Sequence, residues 1–512
     1  MEMEMSSEVV ISWLPWATLA VSLLYCLTVW RRRTGGGRPL PPGPAPLPLI
    51  GNLHNLRAGV LHHTLTSLAR VHGPVMMLKL GLSTAVVLSS RDAAREAFTK
   101  QDRRIAARPV PDANRAGGFA DRSMIFLLSS NPLCKAIRGI HGTHYFSPRS
   151  LAAACTVRER KVRDMVAYFR RRAGTVVDIR RTVYGCVLNL LSNTTFSVDV
   201  VDDLGGADEA IHGDGAGGLR ELVHELVNGV TRPNVSDYFP FLRALDLQGL
   251  RRATGRRFEK LFGILDDVID RRSASKQKRG DYLDSLLDLV SAGKITRDTV
   301  PIMLVDVFVA GGDTMTVSVE WAMAVLLRNP SAMAKVRAEI KDVLGGKEVI
   351  EEADAERLPY LQAAWKETMR LHPVGPLLVP RMATEDGVEI GGYAVPKGST
   401  VLFNAWAIMR DPELWERPEE FSPERFLHGR AEEFDLRGKE YFEFTPFGSG
   451  RRICPGLPLA ERVVPFMLAS LLHAFDWQLP DGMSADELDM SETFSTANVR
   501  AVPLKAVPVL LT

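Results

Sequence analysis

One cysteine lies in a loop whose backbone has to turn tightly around it, and this loop restricts the fold more than any other part of the chain. Residues 447–456 have the sequence FGSGRRICPG. Gly448 and Gly450 reach backbone conformations that other residues adopt only with strain, and Phe447 is placed to shield the sulfur. A cysteine that faces backbone N–H groups near a helix N-terminus has a lowered pKa and serves as a thiolate. The sequence therefore predicts a thiolate at Cys454.

The size and composition of the chain exclude several classes of protein. It has 512 residues, of which 46% are hydrophobic and 24% charged, and its net charge is +2. A single hydrophobic core stops growing at about 250–300 residues, so several domains or one large lobed unit are expected. The ordinary composition excludes a disordered or collagen-like chain and a transporter with many membrane spans, and near neutrality argues against nucleic-acid binding. Five cysteines are too few, and odd in number, for a disulfide scaffold.

Hydrophobic periodicity predicts a mainly helical body with a strand-rich patch. Alternating residues in Leu78–Ser89 predict a hairpin, and Gly387–Pro396 and Val401–Ala405 predict short strands. Helical patterns cover 151–172, 219–229, 250–272, 296–328 and 331–344. The segment 296–328 is too long for a typical surface helix, so it is expected to cross the core.

The long helical segment contains the sequence AGGDT at residues 310–314. Two consecutive glycines in a helix interior cost about 1 kcal/mol each relative to alanine. That cost needs a structural reason. The missing side chains of Gly311 and Gly312 either open a groove beside the helix or allow close contact with a neighbouring helix.

Two shorter motifs complete the pattern. Glu367 and Arg370 lie three residues apart on one face of a predicted helix. Alone, such a pair is usually a solvated ion pair, but here the sequence PERF follows at 423–426. Together with the cysteine loop and residues 310–314, these motifs resemble those of the cytochromes P450 over essentially the whole chain. The chain resembles the plant microsomal members, and among them the terpenoid and diterpenoid hydroxylases of grasses.

The resemblance implies the cytochrome P450 fold, mainly α with a smaller β-rich lobe, and haem b (iron protoporphyrin IX) as cofactor. It implies that Cys454 is the axial iron ligand and that Thr314 and Asp313 serve oxygen activation and proton delivery. The residues that would contact the cofactor are Arg452, Arg381, Arg138, Phe447, Gly448, Gly450, Gly456, Ala310 and Gly311. Those that would form a structural network behind it are Glu367, Arg370 and Arg425. Those that would line an apolar substrate pocket are Val305, Phe308, Val309, Val374, Leu377, Leu378 and Phe494.

One segment departs from the family pattern. Where the family carries Trp-Arg-x-x-Arg, with the Trp and the second Arg meeting a haem propionate, this chain has Cys134, Lys135 and Arg138. A propionate would lose one N–H donor, and a hydrogen bond to a charged group contributes about 1.5–3 kcal/mol. We therefore expect haem binding with reduced retention. The alternative is a catalytically impaired homologue that still binds haem.

The N-terminal segment is expected to anchor the chain in a membrane. Residues 9–30 carry no charge, and as a helix they would span about 33 Å, enough for a hydrocarbon core. Arg31, Arg32 and Arg33 follow, so the positive-inside rule places the C-terminal body in the cytosol. A cleaved signal peptide is the alternative. The expected organisation is a luminal N-terminus (1–8), a single transmembrane signal-anchor (9–30), a basic, Pro-rich hinge (31–50) and a cytosolic catalytic domain (51–512) at the endoplasmic reticulum membrane.

The resemblance implies a monooxygenase that hydroxylates an apolar small molecule with O2. The chain has no flavin or nicotinamide motif, so NADPH-cytochrome P450 reductase in the same membrane is the expected electron donor. Basic residues near the cysteine face would meet its acidic surface, or are simply a solvated face; they are Lys135, Arg138, Arg149 and Arg451. The expected substrate is a terpenoid, a labdane-related diterpene of plant defence metabolism. The alternative is a haem-thiolate isomerase or dehydratase, which needs no reductase.

Overall fold

The computed structural model describes residues 38–56, 59–205, 222–226, 229, 232–275, 277–494 and 497–511. The expected anchor at 9–30 and part of the helical pattern at 219–229 lie outside these ranges. The described chain is mainly helical with a smaller β-rich region, as expected.

The helices follow the hydrophobic periodicity closely. The expected helices at 250–272 and 331–344 are confirmed, whereas 151–172 forms two helices because the backbone leaves the helical conformation at Ala154. The α-helices with described bounds are α1 (Leu61–His72), α2 (Arg91–Thr99), α3 (Asp102–Ile105), α4 (Pro132–His144), α5 (Pro148–Ala153), α6 (Cys155–Arg171), α7 (Ile179–Phe196), α8 (Val235–Tyr238), α9 (Leu250–Ser275), α10 (Tyr282–Ser291), α11 (Thr299–Arg328), α12 (Pro330–Leu344), α13 (Pro359–Leu371), α14 (Ala405–Ile408) and α15 (Leu457–Ala474).

Helix α11 crosses the core, as its length predicts. Most of its side chains are buried, and it packs against α7, α13 and α15. Pro301 lies in its first turn, where a missing N–H costs no helical hydrogen bond. Within the described residues, α11 and α15 are long and apolar enough to span a membrane, but both are mostly buried inside the protein. Their apolar character is that of core helices.

The largest sheet is a four-stranded layer beside the helical body. Its order is β1-β2-β7-β4, with β1 and β2 antiparallel and β2 parallel to β7. The expected hairpin and both expected short-strand segments are confirmed. The strands are β1 (Val75–Leu80), β2 (Ser83–Leu88), β3 (Val177–Asp178), β4 (Arg381–Met382), β5 (Val388–Ile390), β6 (Tyr393–Val395), β7 (Thr400–Phe403), β8 (Phe475–Gln478), β9 (Glu492–Phe494), β10 (Asn498–Arg500) and β11 (Lys505–Leu510).

The described part of the Pro-rich segment lies on this sheet. Met77 N–H donates to Pro42 O at 2.8 Å, and Ala394 N–H donates to Pro39 O at 3.0 Å. A Cβ on Gly43 would lie 2.1 Å from the carbonyl oxygen of Met77, so only glycine allows this approach. From Pro39 onward the segment is therefore fixed to the body of the protein.

Candidate active site

The cysteine loop has the tight turns that its glycines predict. Gly448 and Gly450 both have positive φ, 70° and 67°. A Cβ on Gly450 would lie 2.6 Å from the Asp102 carboxylate, so the second glycine is required by space as well as by φ. Cys454 N–H donates to Phe447 O at 3.1 Å and closes the loop. Helix α15 begins three residues after Cys454.

The protonation of Cys454 differs from the expectation. Backbone N–H groups of Gly456 and Leu457 do point at the sulfur, and Arg138 and Arg108 add positive charge. Burial nevertheless outweighs them and raises the pKa of the Cys454 thiol. The expectation that the protein groups alone lower the pKa of Cys454 is therefore wrong. Deprotonation of this thiol would have to come from a coordinated metal ion, which removes a thiol proton outright.

Helix α11 has one exposed stripe in an otherwise buried stretch. Ala310 and Thr314 are exposed one turn apart, and Thr314 Oγ1 donates to Ala310 O at 2.7 Å. A Cβ on Gly311 would lie 3.1 Å from Leu191, and one on Gly312 would lie 3.4 Å from side chains of the same helix, α7. Close helix packing, the alternative interpretation, therefore explains the glycine pair. The positions of α11 that are left exposed are Ala310 and Thr314 instead.

Asp313 lies beside Thr314 in sequence but in a different environment. Burial raises the pKa of the Asp313 carboxyl, and positive charge from His224 and Arg180 opposes the rise. A carboxyl group with a raised pKa holds its proton more readily near neutral pH. Asp313 is therefore suited to carrying a proton.

Two of the expected cofactor-binding arginines fix the cysteine loop. Arg138 donates to Ile453 O at 2.9 Å, one residue before Cys454. Arg381 donates to Ser449 O at 2.5 Å and pairs with Asp102 Oδ1 at 2.5 Å. These contacts hold the loop from two directions, through α4 and β4.

Two further guanidinium groups lie in the same region. Arg452 donates to Ala106 O at 2.7 Å and to Met124 O at 2.8 Å. Arg108, which sequence reasoning missed, donates to Val379 O at 2.8 Å. Burial lowers the pKa of Arg108 well below its usual value, and Arg452 and two other arginines add to the fall. Its buried Nε has no hydrogen-bond partner.

This arginine cluster fits an anionic cofactor. It consists of Arg108, Arg138, Arg381 and Arg452, and the Arg108 guanidinium interacts electrostatically with the other three and with Cys454. Among the described residues, Asp102 is the one carboxylate that pairs with any of the four. Buried cations need compensating negative charge. Haem carries two propionates, so these residues and the Cys454 sulfur fit haem well.

The predicted charged network forms behind the cysteine loop. Arg370 Nε and Nη2 lie 2.7 and 2.8 Å from the two oxygens of Glu367, and Arg425 Nε donates to Oε1 at 2.9 Å. The side chains of Glu367 and Arg370 are fully buried. Phe426 packs against Phe444 with ring centroids 5.0 Å apart. Since Phe444 precedes the loop by three residues, this contact links the network to it.

The expected pocket residues divide into two groups. Val305, Phe308 and Leu377 are buried in hydrophobic clusters, and Leu377 packs on the sheet. Val309, Val374 and Leu378 are half-buried. Of these, Leu378 has a φ of 49°, and its Cδ1 would lie 3.6 Å from a Cβ on Gly448, so it borders the cysteine loop. Phe494 belongs to β9, but its side chain lies outside the described residues.

Asp306 connects α11 to the cysteine loop. Its carboxylate accepts hydrogen bonds from Ser123 Oγ at 2.5 Å and from Met124 N–H at 3.1 Å. The carbonyl of Met124 accepts from Arg452, so the backbone of one residue, Met124, joins the two elements. Burial raises the pKa of Asp306 to about 7, against the effect of these hydrogen bonds.

Cys134 borders a cavity that Met124 also lines. Its buried Sγ lies 3.9 Å from Met124 O. The cavity measures about 260 Å³ and is lined by Met124, Ser129, Cys134, Lys135, Arg138, Arg451 and Arg452. A small side chain at 134 therefore leaves space next to two of the clustered arginines.

The cavity leads to a prediction for haem retention. We expect Cys134→Trp to fill it and to place an indole N–H beside the arginines, where it can donate to a haem propionate, slowing haem loss about tenfold or more. Haem transfer to an apo-globin acceptor measures the rate. The matched control is Cys134→Phe, which fills the cavity without a donor. Equal rates for the Trp variant and the unmodified protein would contradict the prediction.

A cysteine loop surrounded by basic groups, backed by a buried carboxylate between two arginines and set beside a long core helix, defines a haem-thiolate protein. A family model described as Cytochrome P450 matches residues 41–502. The chain belongs to the cytochrome P450 family, whose members are haem-containing monooxygenases that use O2, redox partners and small-molecule substrates.

Several curated relatives from rice (Oryza sativa subsp. japonica) match almost the entire chain. Cytochrome P450 76M5 is 65% identical and covers 98% of this chain and 99% of its own length. Oryzalexin D synthase and Ent-cassadiene C11-alpha-hydroxylase 1 are each 61% identical, with the same coverage of 98% and 99%.

Proposed function

We propose that this enzyme hydroxylates a terpenoid, specifically a labdane-related diterpene of plant defence metabolism. The observation that carries the proposal is identity of 61% over nearly full length to relatives named for diterpene chemistry. A mainly apolar border to the site, with Leu378 next to the cysteine loop and Ala310 on α11, suits a hydrocarbon-like substrate. The hydroxylase named among these relatives favours a monooxygenase over an isomerase or dehydratase.

We propose these roles for the residues of the site. Cys454 ligates the iron, and the arginine cluster compensates the propionates. Haem held in this way supplies the oxygen-insertion chemistry. Thr314 holds a proton at Oγ1 on the exposed stripe of α11, and the adjacent Asp313 replaces that proton. The network around Glu367 keeps the cysteine loop in position.

The proton-carrying role of Thr314 leads to a second prediction. We expect Thr314→Ala to lower product formation at least about 100-fold, because positioned proton donors contribute about 10²–10⁴-fold. The assay feeds a panel of diterpene olefins to membranes that also contain the reductase, and compares product with NADPH consumed.

A neighbouring threonine supplies the matched control. Thr316 is also on α11 and donates to Gly312 O at 2.8 Å, but it is buried. Thr316→Ala should retain most activity, since its hydroxyl makes the same helical bond away from the exposed stripe. Equal activity of the Thr314 and Thr316 variants would contradict the proposed role. A complete lack of oxygenated product from every olefin would contradict the proposed substrate class.

We also propose a single-pass location in the endoplasmic reticulum membrane, with residues 9–30 as the anchor and the body in the cytosol. Of the expected hinge at 31–50, only the part before Pro39 would serve as a hinge, because the chain from Pro39 onward is bonded to the body. An exposed apolar surface beside the Pro-rich segment supports it. Gly81 N–H donates to Ile50 O, and Leu82 N–H donates to Tyr238 O, which brings three chain segments together. The exposed side chains on them are Leu47, Leu49, Ile50, Leu82, Phe241, Leu245 and Leu247. Such a contiguous apolar patch is typical of a membrane contact.

Electrons are proposed to come from NADPH-cytochrome P450 reductase. Lys135, Arg149 and Arg451 are exposed, and Lys135 and Arg451 lie beside the cavity next to the cysteine loop. Exposed basic side chains attract an acidic partner surface and raise the association rate. This arrangement supports docking close to Cys454.

A further inference from the structure

A second group of ligating side chains lies apart from the cysteine loop, between α1 and β9. His62 Nε2 lies 2.8 Å from Glu492 Oε1, and His63 Nε2 lies 2.5 Å from the same oxygen. The three potential ligand atoms all lie within 4.8 Å of one another. A third imidazole approaches from the end of α13, with His372 Nδ1 3.7 Å from Glu492 Oε2.

The group combines burial with an opening to solvent. The side chain of His62 is fully buried and that of Glu492 is 7% exposed, whereas that of His63 is 44% exposed. The rings of His62 and His63 lie at 79° to each other, so their nitrogens approach the carboxylate from different directions. An ion could therefore enter past the exposed His63 and reach the buried His62.

Neighbouring side chains hold the carboxylate in place. Asn498 Nδ2 donates to Glu492 Oε2 at 2.5 Å, which leaves Oε1 to the two adjacent imidazoles. The ring of Trp406 packs 4.6 Å from that of His63 and 5.7 Å from that of His62. Such outer contacts orient ligands and raise metal affinity.

Two imidazole nitrogens and a carboxylate oxygen form a donor set suited to Zn²⁺. Zn²⁺ binds such donors at about 2.0–2.2 Å, which places tetrahedral ligand atoms about 3.4 Å apart. The present separations of 2.5 and 2.8 Å would have to widen by about 0.6–0.9 Å. Rotation of the half-exposed His63 side chain can supply the larger change, and a shift of the Glu492 carboxylate by less than about 1 Å can supply the smaller one.

We propose that His62, His63 and Glu492 form a binding site for a divalent transition metal ion, with Zn²⁺ as the favoured ion. The site joins a helix near the start of the described chain to a hairpin near its end. Strand β9 also contains Phe494, one of the proposed pocket residues. The bound ion therefore fixes the β9–β10 hairpin against α1.

The test measures zinc binding to the haem-loaded full chain in detergent, purified without a histidine tag. Titration against a fluorescent zinc indicator should give one bound ion per chain. His63→Ala should weaken binding at least about 100-fold, because loss of a direct ligand costs more than loss of an outer contact. His63 is chosen because half of it is exposed and its removal leaves the core intact.

Two controls separate this site from general zinc binding. His72→Ala removes another partly exposed histidine from the same helix and should leave the affinity unchanged. Glu492→Gln should weaken binding as His63→Ala does, and the carbon-monoxide difference spectrum of each variant confirms that its haem site is intact. Zinc binding of equal affinity in the unmodified protein and in His63→Ala would overturn the proposal, as would the absence of a bound ion in the unmodified protein.

Discussion

Cys454→Ser is expected to reduce product formation to background and to remove the carbon-monoxide absorption band for which the family is named. Both effects follow from the loss of the thiolate, because the thiolate ligand donates electron density to the haem iron, which favours O–O cleavage. The loop itself should persist, since its shape depends on Gly448, Gly450 and the bond from Arg138 to Ile453 O. Difference spectra of reduced membranes and product analysis measure the two effects.

The control for this variant is another cysteine of the same chain. Cys155 is half-buried at the start of α6, where its Sγ donates to Glu159 Oε1 at 3.6 Å. Cys155→Ser should keep both the band and the activity. If the Cys454→Ser protein retained the band at full intensity, a different residue would have to be the iron ligand.

The site could be predicted from sequence where each motif determines its own geometry. Glu367 and Arg370 lie on one turn of α13, so helical spacing alone brings them together. The loop before Cys454 turns at two glycines that are close in sequence. The hairpin β1–β2 likewise follows from alternation around a short turn.

Contacts between distant segments were beyond the reach of sequence patterns. Arg108 joins the arginine cluster only because β4 and the preceding loop bring Val379 next to it, and no local motif marks that position. The glycine pair in α11 had two possible explanations, and only the position of α7 decides for helix packing. Leu377 and Leu378 are adjacent, yet Leu377 packs on the sheet and Leu378 borders the cysteine loop. The two side chains point in different directions because Leu378 has a positive φ, which the sequence did not predict.

Asp306 is a buried acid in an otherwise apolar stretch of α11. Its raised pKa predicts how the stability of the folded protein depends on pH. Its pKa is about 7 in the folded protein, against about 3.9 in an unfolded chain. Below about pH 4 the carboxyl is protonated in both states and carries no penalty. As the pH rises to about 7, the unfolded chain releases the proton while the folded chain retains it. Unfolding therefore becomes more favourable over this range, and the penalty is constant at higher pH.

The size of this effect is large for one residue. Three units of pKa difference correspond to about 4 kcal/mol, as an upper limit. For a chain of this length, that free energy shifts the melting temperature by about 4 °C. Asp306→Asn should remove this pH dependence, because the amide does not titrate. It also takes an acceptor from Ser123 Oγ or Met124 N–H, which costs about 1–3 kcal/mol at every pH.

The two contributions predict a crossover. The Asp306→Asn protein should be less stable than the unmodified protein at about pH 4, where the acid carries almost no penalty, and more stable at about pH 8. Melting temperatures of the haem-loaded full chain, recorded at one scan rate between pH 4 and 8, test this directly. The control is Ser123→Ala, which removes a hydrogen-bond partner but keeps the acid, so its pH dependence should persist. Since all other titrating groups are common to these proteins, parallel profiles for the Asn variant and the unmodified protein would mean that Asp306 does not hold its proton in the folded state.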